Sequence, residues 1–259
     1  MMRKLLTPVL IFCTTILFAQ TDQRMYDIIN AVSSERIEKD VTTLVGFGTR
    51  HTLSDTVSKT RGIGAARRWI KSEFDKISST CGNCLEVSYH KDLVKKDENA
   101  RIVKDVEVVN VVAIQRGTKY PDRYIIMSGD IDSRVSDPTN FTSESPGAND
   151  NASGMAGTIE AARVLSKYKF ESSIIYLGLS GEEQGLFGGQ GLVKSAKEKG
   201  WDIIGISKEL MELSVIPILG SFLNPYLRPK RKGNAICVVF TEVRLMVSPG
   251  NWRDMSIKM

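Results

Sequence analysis

Acidic residues lie directly after predicted strands, or at the start of a predicted helix, at three places in the chain. They are Asp130, Asp132, Asp150, Glu182 and Glu183. The first two stand in SGDIDSR, the third in GANDNASG, and the two glutamates in LSGEEQG. Because the carboxyl ends of the strands form the ligand-binding edge of a doubly wound sheet, we expect these carboxylates to converge there.

Carboxylates at one sheet edge are suited to cation binding and proton transfer. Two metal ions roughly 3.5 to 4 Å apart need a bridging carboxylate, and Asp150 is the natural bridge because it arrives from the loop between the two strand ends. Of two adjacent glutamates, one can bind metal while its neighbour takes a proton from a metal-bound water. The alternative for any one of these acids is a capping and solvating role.

Alternating strand and helix patterns surround these acids. Helical patterns cover residues 22–45, RGIGAARRWIKSEFDKI, the segment from NDNASG to LSKY, and LFGGQGLVKSAKEKG. Strand patterns cover residues 85–93, 106–114 and 124–127, and SSIIYLGLS. Helices that alternate with buried strands imply parallel crossovers, so we predict an α/β sandwich.

The N-terminus differs in character from the rest of the 259-residue chain. Arg3 and Lys4 precede an apolar stretch from Leu5 to Phe18, which predicts a signal peptide over residues 1–20 and a secreted or periplasmic protein. A membrane anchor is the competing interpretation, but the stretch is short for a spanning helix and contains Pro8. We expect no stable membrane insertion after cleavage.

The formal charge of +5 is unevenly distributed. Arg3 and Lys4 contribute +2, and eight Lys/Arg against four Asp/Glu contribute +4 in residues 207–259, which leaves −1 for residues 21–206. A net charge of −1 over residues 21–206 does not predict nucleic-acid binding.

Cys81 and Cys84 form the motif CGNC. In an exported protein the simplest interpretation is a short-loop disulfide, since the compartment is oxidising. A redox pair or half of a zinc site stays open as an alternative. Against it, the chain holds no second CxxC motif, and a strand pattern rather than a helix follows Cys84.

The regular pattern stops near Gly205. Residues 206–259 contain a Pro-interrupted apolar stretch, the basic clump LRPKRKG and a strand-like AICVVFTEVRLMV, but no helix periodicity. Three interpretations are open: a divergent subdomain, an interfacial segment, or a product of a shifted reading frame, which the abrupt change favours.

Several ordered blocks together resemble a known family. SGDIDSR, PGANDNASG, ARVLSKY and LSGEEQGLFGG, with GFGTRHTLSDT and RGIGAARRWI upstream, are similar to exported bacterial zinc aminopeptidases with two co-catalytic metals, relatives of glutaminyl cyclases and glutamate carboxypeptidase. The resemblance covers residues 30–205. It implies a three-layer sandwich with a mixed, mostly parallel, eight-stranded sheet flanked by helices, in a metallopeptidase-like α/β domain over residues 21–205. It also implies peptide substrates, from which N-terminal residues are removed.

The resemblance assigns a role to each acid. Asp150 matches the bridging zinc ligand, Glu183 a terminal zinc ligand and Glu182 the general base. Asp132 matches the aspartate that orients the first ligand, and Asp130 stands where most of the family has a zinc-binding histidine. Aspartate oxygen can bind zinc, and the added charge favours a harder metal such as manganese at that site.

The family pattern is incomplete downstream. The family places a further aspartate soon after WDIIG and a histidine much later, whereas this chain has ISKELMEL and no histidine beyond His90. Glu209 or Glu212 is a candidate substitute for the aspartate. Two hypotheses follow. The first is a zinc-dependent aminopeptidase; the second is a catalytically inactive truncated or frame-shifted family member, or a binding protein that uses the same cleft.

Overall fold

The computed structural model describes residues 23–208. The helices are α1 (Gln23–Ala31), α2 (Ser34–Val45), α3 (Gly62–Thr80), α4 (Ser153–Leu165) and α5 (Phe187–Glu198). The strands are β1 (Leu85–Val94), β2 (Val106–Gln115), β3 (Tyr120–Asp130), β4 (Ser172–Leu179) and β5 (Asp202–Lys208). Within residues 23–208 the chain divides into two compact units, with the boundary between Ala31 and Val32. In the described part, α1 lies in the first unit and all other elements lie in the second.

The helical pattern over residues 22–45 is two helices rather than one. Helix α1 ends at Ala31, and α2 begins after Ser33, whose extended backbone and side chain form the N-cap. The Ser33 hydroxyl oxygen accepts a hydrogen bond from the Arg36 N–H at 3.2 Å. Serine competes with the helix for backbone hydrogen bonds, which is why it starts helices more readily than it continues them.

The five described strands form one mixed sheet in the order β1-β2-β4-β3-β5. Strand β3 pairs in parallel with both β4 and β5, while β2 is antiparallel to both β1 and β4. Four of the five strands therefore run in the same direction. The prediction of a mixed, mostly parallel α/β sheet is confirmed, and three of the eight strands that the family resemblance implies are not among residues 23–208.

Helices cover both faces of the sheet. On one face, Ile70 and Phe74 of α3 and Ile159 of α4 are fully buried in the larger hydrophobic core. On the other face, Leu192 of α5 packs in a second core that includes Val112 of β2. Full burial of such side chains stabilises the fold by about 1.5–3 kcal/mol each. The predicted three-layer sandwich is therefore confirmed, and its two cores hold the strand ends in place.

A buried ionic network joins three helices on the first face. Arg163 of α4 forms ion pairs with Asp40 of α2 at 2.6 Å and with Glu73 of α3 at 2.9 Å. Glu160, one turn before Arg163, pairs with Arg36 of α2. Burial lowers the pKa of Arg163, but its carboxylate partners raise it by more, so that the guanidinium stays charged.

Cys81 and Cys84 form a disulfide bond with an S–S distance of 2.00 Å. Cys81 caps the C-terminus of α3, and β1 begins at Leu85 directly after Cys84. The bond therefore closes the turn between a helix and a strand.

Strand β5 continues to Lys208, three residues past the point where the sequence pattern stops. Its pairing with β3 at the sheet edge explains the extension. The interpretations offered for residues 206–259 otherwise lie outside the described residues, as does the predicted signal peptide. None of the helices in residues 23–208 has the length and apolarity needed to span a membrane.

Candidate active site

The first two acids lie at the carboxyl end of β3. Asp130 is the last residue of β3 and pairs with Leu179, the last residue of β4. The chain then stays beside β4, since the Ile131 N–H donates to the Leu179 carbonyl at 2.6 Å. Asp130 and Asp132 are both buried, with 4% and 1% of their surface exposed. Parallel pairing of β3 with β4 thus brings the DID motif next to the segment that follows β4.

Asp132 binds the loop that carries the two glutamates. Its carboxylate accepts hydrogen bonds from the backbone N–H of Glu182 at 3.3 Å, from the backbone N–H of Glu183 at 3.1 Å and from the Thr52 hydroxyl at 2.8 Å. Complete burial raises the pKa of Asp132, against these three hydrogen bonds, which lower it. Asp132 therefore positions Glu182 and Glu183 through their main chain.

The glutamate loop is also tied to β2. Asn110 accepts a hydrogen bond from the Ser180 N–H at 3.0 Å, and the Ser180 hydroxyl donates to the Val109 carbonyl at 2.7 Å. Gly181 turns the chain with φ of 74°, a left-handed conformation that favours glycine. Glu182 and Glu183 are half-buried, so both carboxylates sit at the boundary between the protein and solvent.

Asp150 lies in an irregular turn over residues 148–152, immediately before α4. Its backbone is extended, its side chain is exposed, and its peptide bond to Asn151 is cis. Arg50 donates both to the Gly147 carbonyl at 2.9 Å, three residues before Asp150, and to the Ile131 carbonyl at 2.8 Å, directly after Asp130. The third acidic segment therefore approaches the same sheet edge as the other two.

Arg50 holds the loop between Asp132 and Asp150 in place, a role that the sequence analysis missed. This arginine is fully buried. Its guanidinium donates to the carbonyls of Leu44, Ile131, Pro146 and Gly147 at 2.5 to 3.1 Å. Burial lowers its pKa to about 10, against the charges of Asp132 and Asp150, which raise it. The only sequence signal was its place in the family-like block GFGTRHTLS.

Arg134 was also missed, and it pairs with a predicted zinc ligand. Its Nε donates to Glu183 Oε2 in an ion pair whose glutamate side chain is only 12% exposed. Burial raises the pKa of Glu183, against the hydrogen bond and charge of Arg134, which lower it. A cation bound to Glu183 would have to share or displace this partner.

His51 has protein partners on both ring nitrogens. Nδ1 accepts from the Leu53 N–H at 3.0 Å, and Nε2 lies 3.0 Å from the Pro138 carbonyl and 3.1 Å from the Gln184 side-chain amide. Burial lowers the pKa of His51, against the Pro138 carbonyl, which raises it. In this arrangement His51 links the loop containing Thr52 to the glutamate loop.

The described residues do not form a complete metal site. Within residues 23–208, no group of three or more His, Cys, Asp or Glu side chains is arranged to hold a metal ion. Asp130, Asp150 and Glu183 approach one edge of the sheet, but Glu183 faces Arg134 instead of joining the two aspartates in a common ligand set. The sequence candidates Glu209 and Glu212 lie outside the described residues.

Comparisons of sequence and of structure show which known proteins this chain resembles. Residues 110–205, which run from the second half of β2 through β3, β4 and the glutamate loop, match the model of Peptidase family M28. A probable zinc metalloprotease of Pyrenophora tritici-repentis is 38% identical over 176 residues, which are 68% of this chain and 41% of the relative. A probable zinc metalloprotease of Pyrenophora teres f. teres is 42% identical over 185 residues, which are 71% of this chain and 38% of the relative. Both relatives are fungal, and the chain spans about two fifths of their length.

Solved structures show the same fold. The LapA aminopeptidase of Legionella pneumophila superposes with a TM-score of 0.54 at 20% identity, over 79% of this chain and 50% of that chain. LapB of the same organism superposes with a TM-score of 0.54 at 19% identity, over 71% of this chain and 45% of LapB. The glutaminyl cyclase of Fimbriiglobus ruber superposes with a TM-score of 0.52 at 18% identity, over 68% of this chain and 60% of the cyclase. Likeness at this level of identity shows that the chain shares the α/β fold of these structures. Residues 110–205 are similar to Peptidase family M28, and the relatives named above are probable zinc metalloproteases.

Proposed function

We propose that this protein is a zinc-dependent exopeptidase that hydrolyses N-terminal residues from peptides. The M28 match, the zinc metalloprotease relatives and the aminopeptidase among the structural neighbours support the proposal. The observation that carries it is the glutamate loop: Glu182 and Glu183 follow β4, and Asp132 fixes the backbone of both. A general base must be held in place to transfer a proton efficiently, and this loop provides that restraint.

In this proposal Glu182 is the general base. Its half-buried carboxylate accepts a proton from the water that attacks the scissile carbonyl. Asp130, Asp150 and Glu183 are the candidate oxygen ligands for zinc. The family resemblance implies two zinc ions, and manganese is an alternative at the site beside Asp130. Because these residues alone do not gather into a metal site, metal content is the first quantity to measure.

The proposal also places the protein outside the cytoplasm, as a secreted or periplasmic enzyme. The basic and apolar segment over residues 1–20 supports this placement, as does the disulfide between Cys81 and Cys84. Sequencing the N-terminus of the protein recovered from culture medium or periplasm tests the placement, and an intact residue 1 would contradict it.

The test of function is hydrolysis of leucyl-p-nitroanilide by the full chain, after metal analysis. We expect bound zinc and a turnover that falls by about 10²-fold or more in Glu182→Gln, since general-base catalysis contributes about 10²–10⁴-fold. Glu171→Gln is the matched control, because Glu171 is an exposed glutamate with only a 3.7 Å contact to Lys119. Turnover that is equal in the two variants, or no turnover with zinc bound, contradicts the proposal.

A second candidate function is peptide binding without hydrolysis. The ion pair between Arg134 and Glu183 favours it, because the arginine occupies a carboxylate that catalysis would assign to zinc. This candidate predicts that the full chain binds a leucyl peptide with equal affinity in the presence and absence of zinc. It also predicts no turnover that depends on Glu182.

A further inference from the structure

The connection between β1 and β2, residues 95–105, contacts the glutamate loop through two side chains. Nη1 of Arg101 donates a hydrogen bond to the Glu183 carbonyl at 2.7 Å, and Nδ2 of Asn99 donates to the Gln184 carbonyl at 2.5 Å. Both donors stand outside residues 110–205 and outside the sequence blocks that carry the family resemblance. The family match and the resemblance therefore give them no role.

Glu183 is held by hydrogen bonds on both sides of its Cα atom. Its N–H donates to the Asp132 carboxylate at 3.1 Å, and its carbonyl accepts from Arg101 at 2.7 Å. The backbone of a residue rotates freely only about φ and ψ, and a partner at each end restricts both rotations. The direction of the Cα–Cβ bond is thereby restricted as well. Arg101 therefore completes a restraint on the proposed zinc ligand that Asp132 provides only at the N–H.

The glutamate loop continues as a closed turn that Asn99 holds at its far end. The Glu182 carbonyl accepts hydrogen bonds from the N–H groups of Gly185 and Leu186, both at 3.0 Å. Gly185 has a φ of 128°, and a Cβ atom there would come within 2.8 Å of Nδ2 of Asn99. Glycine at this position therefore permits the close contact between Asn99 and the chain at Gln184.

The connection that carries the two donors is itself ordered. The Oδ1 atom of Asn99 accepts a hydrogen bond from the Arg101 N–H at 2.8 Å, and the Ile102 carbonyl accepts one from the Asp97 N–H at 2.8 Å. Ile102 is fully buried in a hydrophobic cluster against which Phe187, the first residue of α5, packs. A supporting residue restrains its target only when its own position is fixed, and these contacts fix both donors.

We propose that Asn99 and Arg101 are positioning residues for the proposed peptidase reaction. They hold the carbonyl groups of Glu183 and Gln184, and with them the main chain from which the two glutamate side chains project. The inference rests on the proposed function, in which Glu182 is the general base and Glu183 a zinc ligand. Misplacing a reacting group by about 1 Å can cost about 10²-fold in rate, so loss of either donor should lower kcat more than it raises KM.

Hydrolysis of leucyl-p-nitroanilide by Arg101→Met, compared with Lys96→Met, is the first test. Both variants remove one positive charge from the same connection, but Lys96 is exposed, and within residues 23–208 its ammonium has no hydrogen-bond or ion-pair partner. We expect kcat to fall by roughly tenfold or more in Arg101→Met, with KM changed by less than about twofold. Lys96→Met should match the wild type. A raised KM with an unchanged kcat would mean that Arg101 binds substrate, which overturns the positioning role.

Two further variants separate the hydrogen bonds from general structural effects. Arg101→Lys keeps a cationic donor on a long side chain, and the bond to Glu183 uses a single nitrogen, so this variant should recover most of kcat. Equal kcat values in Arg101→Lys and Arg101→Met would count against the role of the hydrogen bond. Asn99→Ala removes the donor to Gln184 and should lower kcat by several-fold. A kcat equal to that of the wild type would overturn the role of Asn99.

Amide hydrogen exchange on the full chain without metal measures the restraint independently of turnover. We expect exchange at Glu183 and Gly185 to accelerate by about threefold or more in Arg101→Met, and to stay at the wild-type rate in Lys96→Met. Because Arg101 is exposed, Arg101→Met should fold normally. Absence of turnover in the wild type would contradict the proposed function alone. Unchanged exchange at both amides would overturn the positioning role, whether or not the wild type is active.

Discussion

The carboxylate of Asp132 and the backbone N–H of Glu183 are joined by a hydrogen bond of 3.1 Å. The two residues are 51 positions apart in the chain and follow neighbouring parallel strands, β3 and β4. With the parallel bond from the Glu182 N–H, this contact clamps one strand end to the other. The DID segment and the glutamate loop therefore form a single structural unit, in which Glu182 and Glu183 depend on Asp132 for their position.

Replacing Asp132 with alanine should loosen the glutamate loop. Hydrogen bonds to a charged group contribute about 1.5–3 kcal/mol each, so amide hydrogen exchange at Glu182 and Glu183 should accelerate by roughly tenfold or more. Hydrogen exchange followed by NMR or mass spectrometry measures the effect. Asp137→Ala is the control, because Asp137 is exposed and bonds only within its own turn. Unchanged exchange at both glutamates would show that Asp132 does not hold the loop.

Replacing Arg134 with methionine should increase the affinity of the protein for zinc. The substitution removes the cation that pairs with Glu183 and leaves a half-buried carboxylate with one fewer partner. Equilibrium dialysis with metal analysis on the full chain measures zinc affinity. Arg123→Met, which loses the same charge at a distant exposed position, should match the wild type. A lower affinity in Arg134→Met would mean that Arg134 supports metal binding instead of competing with it.

Arg50→Met should destabilise the second unit strongly. The buried guanidinium donates to four backbone carbonyls, of which those of Leu44 and Gly147 also accept a backbone N–H. Hydrogen bonds from a charged group contribute about 1.5–3 kcal/mol each, so we expect the free energy of unfolding to fall by at least about 3 kcal/mol. Urea denaturation followed by circular dichroism measures the change. Arg50→Lys should recover only part of it, since lysine lacks the planar fork, and a loss below about 1 kcal/mol would contradict the assigned role.

Glu73 gives a prediction with a defined pH dependence. Burial raises the pKa of Glu73, but hydrogen bonds from Lys76 and Arg163 lower it by more, so its net pKa in the folded protein is below the usual value. A depressed pKa means that the stabilisation is fully present above the unfolded-state pKa, about 4.3, and is lost as the pH falls through the folded-state pKa.

Glu73→Gln should therefore be less stable than the wild type at pH 7, and this difference should shrink as the pH falls below about 4. Urea denaturation of both proteins at several pH values measures it. Glu171→Gln, at an exposed glutamate, provides the baseline. A difference between Glu73→Gln and wild type that stays constant down to pH 3 would contradict the role given to the ionised carboxylate.

Much of the architecture could be predicted from local patterns. The apolar runs before Asp130 and Glu182 are buried parallel strands, and the periodic apolar residues of α3 and α4 face the core. Such patterns report burial and strand direction, which are set by residues close together in the chain. The break between α1 and α2 was missed because the apolar spacing continues through it, while a single capping serine decides the boundary.

The partners of the site residues could not be predicted in the same way. Arg50, Thr52 and Arg134 come from loops, and their hydrogen bonds reach carbonyls or carboxylates about 50 to 97 positions away. No periodic pattern specifies such contacts, since loop conformation depends on the whole surrounding structure.

The sequence by itself determined which acids stand at the strand ends, because parallel strands that alternate with helices must present their carboxyl ends at one edge. Only the tertiary structure decided what each acid does there. Asp132 bonds to main-chain N–H groups, and Glu183 pairs with Arg134, because the folded loops bring those donors within hydrogen-bonding distance. The type and approximate position of each acid are encoded locally in the sequence. The partner of a buried charge depends on long-range packing, because a desolvated polar group is stable only with a hydrogen-bond or charge partner.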